Sequence, residues 1–204
     1  KMAVVNSGLQ YRGFRICTVC GYAEPAPEES VGRRRRGTPT HENPRTRQPC
    51  AGHLTTRHLG HEFITDVLEL RFEGQLAAGI DYDLWLSTLY ALLEGASEAL
   101  GIRRDDLDGT LYPHSYDLPP ALVLFDNVPG GAGHVRRIAD ELPEVCTIAW
   151  RRVRDCECGD ETSCYECLRN YRNQHSHDKL QRGLARDFLG GLLQGAGVVP
   201  QEAR

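Results

Sequence analysis

The chain has 204 residues, 24 Lys and Arg against 28 Asp and Glu, and a formal net charge of −4. Its 40% hydrophobic and 25% charged residues match an ordinary globular domain and not a disordered chain. No stretch reaches the roughly 18–20 apolar residues of a membrane span, no signal-like segment opens the chain, and the acidic balance excludes a uniformly basic nucleic-acid binder.

In chain order, Lys1 precedes Met2, so the sequence is expected to be a segment of something longer or to carry a remnant at its start. Met2–Val5 and Phe14–Cys17 are short β-like runs. Residues 21–61 read as a long irregular insertion, rich in Pro and carrying Arg33, Arg34, Arg35 and Arg36 near its tip. Loops of that length are functional, disordered or tied by metal. Gly60–Phe72 alternates with strand period and shows one apolar face. Asp81–Gly101 is the clearest helix: Trp85, Leu89, Leu92, Leu93, Ala96 and Leu100 form one stripe, and Gly101 supplies the stop. Leu107–Tyr112 reads as a strand, and the apolar run Ala121–Asp126 as a buried central strand. Helices are expected over 131–142, 143–154, 164–173 and 178–194. The fold class that follows is α/β or α+β, a small sheet with packed helices and two zinc-knuckle appendages. The expected domains are 1–61, 62–195 and a tail, 196–204.

Cysteine spacing carries the strongest chemical signal. Cys156, Cys158, Cys164 and Cys167 fall as CxC and CxxC around the small polar loop 159–163, a spacing that lets four thiolates converge on tetrahedral Zn²⁺. Two disulfides and a redox CxxC are the competing readings. Nothing else in the sequence indicates an oxidising compartment, so zinc is preferred. A second set is Cys17 and Cys20 followed by Cys50 and His53, with His41, His58 and His61 competing for the fourth place. Cys146, alone in an apolar run, reads as a buried small hydrophobe.

Other motifs are weaker. Gly130, Gly131 and Gly133 make a strand–loop–helix turn that matches neither a Walker A loop nor a dinucleotide fingerprint. Asp126 and His134 flank that turn and could act as acid and base, although a local turn bond from Asp126 explains it as well. Asp105, Asp106 and Asp108 cluster as if to hold a cation, but Arg103 and Arg104 beside them favour a solvated turn. Arg169, Tyr171 and Arg172 follow the four-cysteine knuckle and mix guanidinium forks with an aromatic plate, as a nucleic-acid contact would. Salt bridges along exposed helices explain them equally well.

As a string, LGHEFITDVLEL (59–70), LYALLEGASEALGI (89–102), DLDGTLYP (106–113), LFDNVPGGAGHV (124–135) and CECGDETSCYECLRNYRNQ (156–174) resemble the MrfA-type zinc-binding (MZB) domain. That domain is found at the C-terminus of superfamily-2 DEAD/DEAH-box helicases and in proteins of the DISARM phage-defence system. The resemblance implies that Cys156, Cys158, Cys164 and Cys167 hold the family's metal. The Cys17/Cys20 knuckle occurs in only some relatives and rests on spacing. No catalytic residue is carried over, and the sequence holds neither a nucleotide-binding P-loop nor a DExH acid pair. The resemblance therefore implies a cytoplasmic, bacterial accessory domain of a DNA helicase, acting in DNA repair or phage defence. Its partners would be the motor domains, in the same or another chain, and DNA, with no membrane. It would brace the motor or guide DNA, with Arg169, Arg172 and the Arg33–Arg36 run as phosphate contacts. A hydrolase or nuclease built on Asp126 and His134, and a protein–protein scaffold, are the alternatives.

Overall fold

The computed structural model describes residues 1–27, 41–72, 81–113 and 118–198, which leaves Arg33–Arg36 outside the described residues. The chain divides into two compact units, Lys1–Phe63 and Ile64–Arg204. Helices with small antiparallel sheets give the mixed α and β class expected. No helix among the described residues is long and apolar enough to cross a membrane.

The first unit is built from short strands. β1 (Met2–Asn6) pairs antiparallel with β7 (Leu59–Phe63). β2 (Phe14–Cys17) lies between β3 (Ala23–Pro25) and β6 (Leu54–Arg57). β4 (His41–Glu42) pairs with β5 (Pro49–Cys50), setting His41 opposite Cys50. The segment expected to be an irregular insertion thus contains β3 through β6 and the start of β7. Its strands are too short to announce themselves by alternation, and β6 and β7 pair with strands roughly forty or more residues earlier in the chain. Among the described residues of this unit, Cys17 is the one buried apolar side chain. Two- and three-stranded ribbons of this kind have little stability of their own, so the unit has to be tied by something other than a hydrophobic core.

The second unit has such a core. β10 (Ala121–Asp126), buried along its whole length, lies between β8 (Val67–Leu70) and β9 (Leu107–Tyr112) in an antiparallel sheet. α1 (Tyr82–Leu100) begins where Asp81 accepts from the N–H groups of Asp83 and Leu84, at 3.0 and 3.3 Å. It stops at Gly101, whose φ of 62° is left-handed. Its apolar stripe packs on the sheet and on α3 (Leu142–Asp155) and α4 (Arg182–Gly195). Ser87, buried inside α1, accepts from the N–H of Gln181 at the start of α4 (2.9 Å). α2 (His134–Asp140) packs against β8 and β10.

Two expected elements are corrected. Gly60–Phe72 is not one strand: β7 and β8 fall in different units and are separated at residues 64–66. There the Ile64 carbonyl accepts from the Gly130 N–H (2.7 Å), and the Thr65 hydroxyl donates to the Asp126 carbonyl (2.6 Å). The backbone is diverted to the glycine turn and cannot continue a ladder. The expected helix 164–173 is a series of turns instead. The Cys164 carbonyl accepts from the N–H groups of Cys167, Leu168 and Arg169. Asn170 and Asn173 then take each other's backbone N–H on their side-chain oxygens, at 2.8 and 3.1 Å, the local bonding by which Asn outcompetes a helix.

The α1–α3 crossing depends on Gly95: a Cβ there would lie 2.6 Å from the Ala149 Cβ and 2.7 Å from its nitrogen. Gly95→Ala is expected to lower stability by about 1–3 kcal/mol in denaturant unfolding, the usual cost of overpacking. Gly191 in α4 meets nothing within 4 Å, and Gly191→Ala should raise stability by about 0.5–1 kcal/mol in the same assay.

Candidate metal centres

Among the described residues, two groups of side chains could each hold a metal ion: Cys156, Cys158, Cys164 and Cys167, and Cys17, Cys20, His41 and Cys50. Within each, the donor atoms all lie within 4.8 Å of one another. All eight cysteines are free thiols.

In the four-cysteine group, Cys156 takes extended backbone at the C-cap of α3. Gly159, at φ 87°, turns the chain back. The sulfur separations are 3.4 Å for Cys156–Cys164, 3.7 Å for Cys158–Cys167 and 3.8 Å for Cys164–Cys167. A tetrahedron with Zn–S bonds near 2.3 Å has edges of about 3.8 Å, so the donor set fits zinc in number, type and spacing. The thiols also conflict electrostatically. Burial, followed by the Cys156 side chain, pushes Cys158 from 9.0 to about 11. Burial drives Cys167 still higher. At Cys164 burial also raises the pKa, but the backbone of Glu166, the Cys156 thiol and the backbone of Cys167 outweigh it and lower the value. One thiolate in this pocket disfavours the next, and a dication removes the conflict.

Residues that spacing alone does not single out hold this knuckle. Arg182, 6% exposed, donates to the carbonyls of Val153 (2.8 Å) and Gly159 (3.1 Å) and pairs with Asp160. Arg152 donates to the Cys167 carbonyl at 3.3 Å and faces Glu94 at 3.7 Å. Glu94, on α1, also takes Arg104 (3.0 Å) and the Asn170 amide (3.3 Å). The knuckle is thereby wired to the central helix. The sequence signal for Glu94 was an acid beside an apolar stripe, and for Arg182 a basic residue opening a helix; neither is specific.

The second group assembles from four corners of the first unit. Cys17 ends β2, Cys20 lies in the following turn, and His41 and Cys50 face each other across β4 and β5. Cys17 and Cys50 sulfurs are 4.0 Å apart, and His41 Nε2 is 3.1 Å from the Cys20 sulfur. The His41 ring stacks on Tyr22 at 4.9 Å. At Cys17 burial raises the pKa, yet hydrogen bonds from the backbone of Cys20 and Val19 and the side chains of Cys20 and His41 bring it from 9.0 to about 6. Burial and the neighbouring thiols Cys17 and Cys50 raise Cys20.

His53 is corrected: it is exposed and stands outside the group, and His41 takes the fourth corner. The hairpin register decides this, since it sets residue 41 directly opposite Cys50. In the run Cys50-Ala51-Gly52-His53 the operative residue is Gly52. Its N–H donates to the Cys50 sulfur at 3.4 Å, and a Cβ on it would lie 2.5 Å from the Cys17 sulfur.

The remaining candidates divide. Asp126 is fully buried and spent on structure: its carboxylate accepts from the N–H groups of Ala132 (2.6 Å), His134 (3.1 Å) and Val135 (3.0 Å). It caps the turn into α2, which leaves the acid–base reading without a free carboxylate. Arg169 lies inside the knuckle, donating to Ser163 (3.0 Å), Thr162 (3.4 Å) and the His177 carbonyl (3.3 Å). Tyr171, by contrast, is 82% exposed, and Arg172 pairs with Asp105 at 3.0 Å. Asp105, Asp106 and Asp108 form no metal-ligand group among the described residues. Cys146 is partly buried against the core, and burial raises its pKa to about 11.

Comparison with known proteins gives a family match over part of the chain. Residues 88–168 match the family described as the MrfA Zn-binding domain (MZB), which bears out the resemblance over that stretch. The match contains all four cysteines of the Cys156–Cys167 group and none of the group at Cys17, Cys20, His41 and Cys50. Among individual proteins, the chain is 29% identical over 225 residues to Druantia protein DruE of Escherichia coli (strain UMEA 4076-1), covering 98% of this chain and 12% of that protein. It is also similar to the DUF1998 helicase MrfA in a crystal structure bound to DNA, with 16% identity, a TM-score of 0.45, and coverage of 76% of this chain and 20% of that one. The chain therefore spans about an eighth of the length of the curated relative and a fifth of the solved one.

Elemental analysis should find two zinc ions per chain, one for each group. Cys164→Ser should remove one. Cys50→Ser, His41→Ala and Gly52→Ala should each remove the other, and His53→Ala should remove neither. Protons compete with the metal for the thiolates, so zinc retention should fall as pH is lowered.

Proposed function

We propose that the chain is a zinc-stabilised accessory module of an ATP-dependent DNA helicase, guiding a DNA strand past its four-cysteine knuckle in repair or phage defence. Cys156, Cys158, Cys164 and Cys167 would hold one zinc, and Cys17, Cys20, His41 and Cys50 a second. Zinc here supplies folding free energy and no chemistry: each donor set is closed, with no open position for a substrate. The observation that carries the reading is the turn leaving Cys167. It is pinned from behind by Asn173 and Glu94, and it presents Tyr171 and Arg172 outward. An aromatic plate and a guanidinium on a rigid mount are what a nucleic-acid strand needs from an accessory surface.

The MZB match and the small share of DruE that the chain covers support a module and not a motor. A bracing role finds support in the β1–β7 ribbon, where Val4, Val5 and Leu59 are 44%, 60% and 47% exposed. A ribbon with apolar residues in solvent suits burial against a neighbouring domain.

Single-stranded DNA binding by the zinc-loaded chain, followed by fluorescence anisotropy across a salt series, tests the proposal. Binding should weaken with salt, and Arg172→Ala should lower affinity and flatten the slope by about one. Arg169→Ala should instead cost zinc retention and stability. An apo chain that binds as tightly as the zinc-loaded one would sink the reading.

A further inference from the structure

Resting on the strand-guiding reading, we propose that the cleft beside the knuckle is a nucleotide subsite for single-stranded DNA and that Asp105 holds it shut, its carboxylate standing where a strand phosphate would lie. The cleft, about 710 Å³, is lined by Arg103, Arg104, Asp105, Asn170, Tyr171 and Arg172. That volume is within the roughly 300–1,000 Å³ typical of small-ligand sites.

The lining residues divide into a partly buried, bonded wall and a solvent-exposed rim. Arg104 belongs to the wall: its Nε is 3.0 Å from Glu94, and it donates to the Leu107 carbonyl at 2.7 Å. Asn170 is equally committed, bonded to Glu94 and accepting from the N–H groups of Arg172 and Asn173. The rim is Arg103, Arg172 and Tyr171. Asp105 bridges the two arginines, one oxygen 3.0 Å from Arg172 Nε and the other 3.6 Å from an Arg103 terminal nitrogen.

That arrangement is a two-arginine anion clamp occupied by an internal carboxylate. All three side chains are half or more exposed: Arg103 80%, Arg172 51% and Asp105 53%. Exposed ion pairs of this kind add little to stability, so a phosphodiester can displace the carboxylate at small cost. A phosphate also offers two guanidinium forks a better match than a shared carboxylate does. The Asp105 backbone would stay in place, because its carbonyl accepts from the Asn127 side-chain amide (3.1 Å); rotation of the side chain alone clears the clamp. Tyr171, beside the clamp and 82% exposed, offers its ring to an unpaired base. Bases in duplex are already stacked, which selects a single strand.

The test uses the full zinc-loaded chain with a short oligothymidylate, a duplex of equal length and free thymidine monophosphate as probes. Asp105→Asn should raise oligothymidylate affinity roughly three- to tenfold, the effect of removing a competing exposed charge from a phosphate site. Asp187→Asn, removing an exposed acid that pairs with Arg186 on α4, should change affinity by less. Arg103→Ala should lower the salt slope by about one. Tyr171→Ala should weaken the single strand about five- to a hundredfold, with Tyr171→Phe restoring it and duplex binding little changed. Zinc content and unfolding midpoint, measured on each variant, separate loss of contact from loss of fold. If the wild type binds single strands but Asp105→Asn gains no more than Asp187→Asn, or Tyr171→Ala binds normally, the clamp is wrong while strand guiding stands. If neither the wild type nor Asp105→Asn binds any strand, both fail. If thymidine monophosphate competes as well as the oligomer, the site takes free nucleotides and the strand assignment is overturned.

Discussion

Sulfur takes the place of a hydrophobic core in one half of this chain and extends the core in the other. In Lys1–Phe63 the described residues bury a single apolar side chain, and it is a cysteine at the metal group. Strands of two to five residues cannot offset their ordering entropy by pairing alone. Gathering Cys17, Cys20, His41 and Cys50 around one cation would close two chain loops at once, and the folding free energy of the unit would become the binding free energy of that metal. Gly52 shows how tightly the chain is drawn in, since any side chain there would strike the Cys17 sulfur.

In Ile64–Arg204 the second sulfur group sits at the margin of an aliphatic core: Cys167 and Leu168 are fully buried within it, and Cys156, Cys158 and Cys164 pack against it. The polar atoms of the knuckle are then satisfied from the helices. Arg182 collects the carbonyls at the end of α3 and the Gly159 turn. Glu94 collects Arg104, Arg152 and Asn170. Glu94 is a partly buried carboxylate against two arginines, a costly group to leave unpaired, so the position of α1 and the position of the turn at 170–172 are set together. This coupling makes the exposed Tyr171 and Arg172 a rigid surface and not a loop tip.

Much of the second unit was legible because its signals are local and periodic. The α1 stripe, the Asp81 start, the Gly101 stop and the five-residue apolar run of β10 that ends in Asp126 each depend on neighbours a few positions away, and each forms where the pattern places it. The four-cysteine group was equally legible, because CxC and CxxC eleven residues apart from end to end leave the sulfurs little choice but to meet. The helix expected over 164–173 failed because Asn170 and Asn173 bond to each other's backbone, a competition that an apolar-stripe argument does not weigh.

The sequence by itself determined a four-cysteine cluster spaced to hold a metal, an α1-centred core and a family likeness that runs through both, because these follow from spacing within short windows. Tertiary structure alone decided three things that motif spacing and apolar periodicity do not encode. The β4–β5 register chose His41 over His53. Hydrogen bonds to Ser163, Thr162 and the His177 carbonyl turned Arg169 from a surface contact into a strut. The return of residues 170–172 to residues 103–105 set Asp105 between two arginines. An overall charge of −4 says nothing of such a clamp, because net charge sums over the whole chain whereas a binding site is made by the few charges that folding brings within a few ångströms.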